Sequence, residues 1–118
     1  MSNKQQHKDK AENNEFLVTT LQNPFWDWGV TVRFYAALQY VDAYLATKTP
    51  PVHPPNHTSR DNEIVQDAVL SPLWDDYREL KNESRTARYE PHAVFAQADG
   101  IRLQKKLNTI KATIVPLL

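Results

Sequence analysis

A chain of 118 residues with fourteen basic and fourteen acidic side chains, no cysteine and two glycines is long enough to form one domain around its own apolar core. The lack of cysteine excludes disulfides, thiolate nucleophiles and thiolate zinc sites, and the formal charge balance of zero argues against a protein that coats nucleic acid by bulk charge. Met1–Glu12 has no signal-like apolar run and no later run approaches a bilayer span, so the expectation is a cytoplasmic protein with no membrane partner.

Taken in chain order, residues 1–13 read as a flexible polar tail and residues 14–118 as a single helical domain. Asn14 is the expected cap of a short helix bearing Phe16, Leu17, Thr20 and Leu21. Asn23-Pro24 then pairs a capping side chain with proline at the first helical position, predicting a central helix from Pro24 to about Thr47 that is apolar nearly all round. Four prolines between Lys48 and His57 stop it. A capping box at Thr58-Ser59-Arg60-Asp61 predicts a short third helix with Ile64, Val65, Ala68 and Val69 as its stripe. Ser71-Pro72 opens a fourth helix to about Arg88, with Leu73, Tyr77, Leu80 and Ser84 on one face. Beyond Pro91, Leu103, Leu107, Ile110 and Ile114 predict a last helix that Pro116 ends. The fold class expected is all-α, an antiparallel up-and-down bundle of four to five helices.

The charge distribution says more than its sum. Asp61–Asp76 holds five acids and no base, whereas Arg102, Lys105, Lys106 and Lys111 follow Asp99 with no acid among them. Two helix faces that attract each other are the simple expectation, and a strip that tracks RNA is the sharper one. On the central helix Tyr35, Leu38 and Asp42 share a face, and a carboxylate there needs a cationic partner. Arg60, Arg85, Arg88 and His57 are the candidates, with Asp42 either fixing helix register or orienting a catalytic side chain.

The run Ser84-Arg-Thr-Ala-Arg-Tyr-Glu-Pro-His92 places Arg85, Arg88, Tyr89 and His92 around one helix end. Guanidinium forks suit anionic oxygens and an imidazole exchanges protons near neutral pH, so the set points to phosphate chemistry. His53, His57 and Arg60 form a second cluster in and beside the proline-rich loop. Metal ligation by His53 and His57 is disfavoured, because Pro54 and Pro55 deny them helical i, i+4 geometry and the loop offers no carboxylate.

The helix Trp28–Leu45, the His57-x-x-Arg60 loop and Tyr77-x-x-Leu80 followed by Ser84-Arg-Thr-Ala-Arg-Tyr89 resemble the HEPN domains, small helical bundles found in prokaryotic toxins and defence proteins. The resemblance implies a metal-independent ribonuclease with an Arg-x6-His motif at a dimer interface and no cofactor. Arg85 and His92 would then be catalytic, with His57 an alternative imidazole. Tyr35, Asp42, Arg60, Arg88 and Tyr89 would contact substrate. The other reading is a non-catalytic module that binds RNA, a nucleotide or a protein partner. Trp26, Trp28, Tyr40 and Tyr44, spread around one helix, favour a homodimer that would hide them. Trp74 joins Trp26 and Trp28 as a core or interface residue rather than a base-stacking platform.

Overall fold

The computed structural model describes residues 2–21 and 25–118, and the Asn23-Pro24 start of the central helix lies outside the described residues. Among the described residues there are five α-helices: α1 (Lys4–Thr20), α2 (Trp26–Ala46), α3 (His57–Gln66), α4 (Trp74–Tyr89) and α5 (Gln97–Ile114). A single 3-10 turn precedes α4 at Ser71–Leu73 and another follows α5 at Val115–Leu117. The all-α bundle read from the sequence is the observed architecture, and none of these helices is long and apolar enough to cross a membrane.

The first helix starts eleven residues before the sequence cue suggested. Asn3, not Asn14, is its cap: the Asn3 side chain accepts from the Gln6 amide at 2.8 Å and Gln6 answers by accepting from the Asn3 amide at 2.9 Å. These reciprocal bonds satisfy two of the orphan donors of the first turn. Gln5–Asp9 (2.7 Å) and Lys8–Glu12 (3.6 Å), each one turn apart, support the polar stretch that follows. Residues 4–13 are therefore helix rather than tail. The register turns Ala11 and Val18 inward, two turns apart, and leaves Phe16 72% exposed.

Helix α2 is the spine, packed against α1, α4 and α5. Val30, Phe34, Leu38, Val41 and Leu45 meet Tyr77 and Leu80 of α4 and Leu103, Leu107, Ile110 and Ile114 of α5 in one core. The faces read for α4 and α5 are the buried ones. Tyr40 is fully buried within the single chain, and Trp26 and Tyr44 are half-buried, so of the four aromatics that favoured a dimer only Trp28 stands exposed.

Side-chain pairs give the helix directions. Arg33 of α2 meets Gln104 of α5, and Arg102 and Lys106 of α5 meet Glu79 and Asp76 of α4 in reversed order. Helix α4 thus runs antiparallel to α5. One edge of α4 is acidic, and Arg102 pairs there with Glu79 and Glu83 while Lys106 pairs with Glu79 at 2.8 Å and Asp76 at 3.3 Å. Lys111 reaches Glu15 of α1 at 3.1 Å. Arg102, Lys106 and Lys111 thus pair with acids of α4 and α1, and among the described residues Asp76 is the one acid of the Asp61–Asp76 stretch that meets them.

Helix α3 is capped by Asn56, whose side chain accepts from the Ser59 amide at 2.8 Å, two residues earlier than the Thr58 box proposed. It buries only Arg60 and Ile64. Its remaining ties are ionic. Arg60 donates to both oxygens of Asp42 on α2, at 2.8 and 3.1 Å, and Asp61 receives Lys81 of α4 at 2.5 Å. These two pairs fix where α3 lies, and thereby where its first residue, His57, stands.

Candidate functional site

On α4 the positions 81, 85, 88 and 89 recur at helical spacing along the edge opposite the acidic one, so Lys81, Arg85, Arg88 and Tyr89 share a face. With Asn82, Phe34 of α2 and His57 of α3 they line a groove of about 350 Å³. The Phe34 ring is its apolar floor, 5.6 Å from the Tyr77 ring behind it and 6.0 Å from the His57 imidazole.

Arg88 is held in place from two sides. Its Nε donates to the Ser84 carbonyl at 3.3 Å and its Nη1 to the Tyr35 hydroxyl at 3.0 Å, while the guanidinium lies 5.6 Å from the Tyr35 ring and 5.1 Å from the Tyr89 ring. Stacking between aromatic rings orients the fork without neutralising it. Among the described residues no carboxylate lies within ion-pair distance of Arg85 or Arg88, whereas Lys81 is engaged by Asp61. The groove is therefore cationic in a molecule of zero formal charge. Partial desolvation, followed by the charges of Arg60, Lys81 and Arg88, holds the His57 imidazole below its ordinary range, with Asp61 opposing. The neutral, proton-accepting form is favoured at pH 7.

The structure sorts the sequence candidates. His57, Arg85, Arg88 and Tyr89 converge on one groove, with Tyr35 bound to Arg88. Arg60 and Asp42 are buried against each other and do not line the groove that holds His57 and Arg85, although Asp42 borders the hollow beside His53. Their ion pair ties α3 to α2. His92 is exposed in the turn after α4 and does not line the groove that holds Arg85, because α4 ends at Tyr89 and the chain turns away through Pro91. The cluster of His53, His57 and Arg60 is likewise divided, since His53 lines a separate hollow with His7, Asp42 and Val52. Among the described residues no three His, Asp or Glu side chains are grouped to hold a metal ion. Sequence reasoning missed Phe34, Lys81 and Asn82, and the one-turn step from Lys81 to Arg85 was the signal that could have found the lysine.

Comparison of the chain with models of known families, with curated proteins and with solved structures gave no match.

Proposed function

We propose that the groove between α3 and α4 binds the sugar–phosphate chain of a single-stranded RNA or a nucleotide. The observation that carries this reading is the convergence of two guanidinium groups, without carboxylate partners among the described residues, on a groove that also holds an imidazole and an exposed Tyr ring. Arg85 and Arg88 supply planar pairs of donors for phosphate oxygens, Lys81 adds a point charge, and Tyr89 offers a face for a base. A charge-assisted hydrogen bond is worth about 1.5–3 kcal/mol, roughly ten- to a hundredfold in affinity. Arg85→Ala is accordingly expected to weaken binding of a fluorescein-labelled single-stranded RNA by at least about tenfold in fluorescence anisotropy. Equal affinity in wild type and Arg85→Ala overturns the assignment.

The proton-accepting state of His57 beside the arginines favours a second reading, the ribonuclease implied by the HEPN resemblance, with His57 in place of His92. The imidazole would take the proton of a ribose 2′-hydroxyl, whose oxygen attacks the adjacent phosphorus. The 5′-oxygen leaves as that bond breaks and takes a proton from water, while Arg85 and Arg88 hold the negative charge on phosphorus-bound oxygen. Incubation of RNA with purified protein in excess EDTA tests it: cleavage should persist in His92→Ala and vanish in His57→Gln. The reverse pattern would reinstate the Arg85/His92 motif, and no cleavage by wild type leaves the binding module.

A further inference from the structure

The two glycines of the chain stand on different helices and face the same guanidinium. A Cβ at Gly29 of α2 would lie 3.1 Å from Arg33 Nη1, and a Cβ at Gly100 of α5 would lie at the same 3.1 Å. Helical side chains lean toward the N-terminus, so Arg33 folds back over Gly29 one turn earlier. After proline, glycine is the residue least suited to a helix, yet both occur where an added side chain would crowd the fork. The fork itself is incompletely satisfied. Its Nε donates to Gln104 Oε1 at 2.9 Å, and among the described residues no carboxylate lies within 4 Å of it. Desolvation accordingly lowers the pKa of Arg33, with no acid to offset it. A half-buried cation without a counter-charge costs stability, and an apolar side chain of similar length would be the better filler.

The guanidinium opens onto a pocket of about 340 Å³ between α2 and α5. Trp26 and Ile101 provide apolar walls, Gln97 offers an amide, Gln104 is held between Arg33 and Asn108, and Lys105 is a second cation. Asp99, the nearby acid of the first turn of α5, is occupied by the Ala96 amide at 2.8 Å and by Arg102. We propose that this pocket is a binding site for a small organic acid, its carboxylate on the terminal nitrogens of Arg33 and its apolar body between Trp26 and Ile101. A planar carboxylate matches the two terminal nitrogens that Gln104 leaves free, and the volume suits a ligand of metabolite size. The site lies on a different helix pair from the α3–α4 groove and does not depend on it.

The test uses 3-phenylpropionate as the probe, titrated into 15N-labelled protein, with 3-phenylpropanol and inorganic phosphate in parallel. The acid should shift the Arg33 Nε–H and the Gly29 and Gly100 amides, while the alcohol and phosphate leave them in place. Arg33→Met should abolish the shifts while melting at or above the wild-type temperature, because the uncompensated charge is gone. Gly100→Ala keeps the charge but displaces the fork, and should weaken binding by about tenfold. The proposal fails if the alcohol or phosphate shifts the same resonances equally, if no localised shift appears at 10 mM acid on the order of a weak metabolite affinity, or if folded Arg33→Met binds as well as wild type. Should Arg33→Met not fold, the wild-type titrations against alcohol and phosphate decide by themselves.

Discussion

Asp42 and Arg60 each keep about a tenth of the side chain exposed, and each satisfies the other through two hydrogen bonds. Removing one partner strands a charge in the interior, a loss of about 3–5 kcal/mol, whereas replacing both with apolar groups is often neutral. Urea unfolding should therefore show Arg60→Met as severely destabilised and Arg60→Met with Asp42→Leu as largely restored. If the single variant is no less stable than wild type, the pair does not lock α3. That Asp42 needs a cation was legible, because a carboxylate on a helix this apolar has no other way to stay charged. Which cation answers was not. Four were within reach in the sequence, and the choice follows from where a proline-rich loop sets down α3, which side-chain periodicity does not encode. The spacing of Arg85 and His92 is of the same kind: a count of six intervening residues carries no information about a helix that ends at Tyr89 between them.

Between α3 and α4 a single carboxylate organises the turn. Asp67 accepts from the amides of Val69 and Leu70 at 2.8 and 3.0 Å, from the Tyr44 hydroxyl at 3.2 Å, and pairs with Lys48 at 2.6 Å. Burial alone would raise its pKa, but Lys48 and the two amides outweigh that and hold it below the ordinary carboxylate value. Asp67→Ala leaves two amides and a phenol without their acceptor and is expected to cost about 2–3 kcal/mol in thermal or urea unfolding. A loss near zero would show that water replaces the carboxylate. Helices with apolar periodicity, α4 and α5, were readable in their buried faces and their ends, less so in their starts, since α4 begins at Trp74 after a 3-10 turn and α5 at Gln97. Helix α1 was not, since Lys4–Asn13 is held by a cap and by polar pairs one turn apart, which leave no hydrophobic rhythm to detect.

For the whole molecule, the titration of His57 couples fold and site. Its folded-state pKa is lowered, so the unfolded chain binds more protons in the window just below the ordinary histidine value of about 6.5. Stability should rise with pH through that window and fall as pH drops through it. The slope should be smaller in His57→Gln, measured as Tm against pH from 5 to 8. An unchanged slope would place the acid sensitivity elsewhere. Segregated charge was visible along the sequence, but the assignment of Arg102 and Lys106 to acids of α4 required the antiparallel pairing of α4 with α5, and that of Lys111 to Glu15 the packing of α1. The two edges of α4 have a further consequence. Acids on one side are paired by α5, while Arg85 and Arg88 on the other have no such partner among the described residues, so a protein with no net charge carries a lopsided field. On the proposed function, a polyanion drifting past would feel a torque before it felt an attraction, and would arrive with its backbone already turned toward the groove. Added salt, with a screening length of roughly 8 Å at physiological strength, would erase that alignment and slow capture without altering any contact in the final complex.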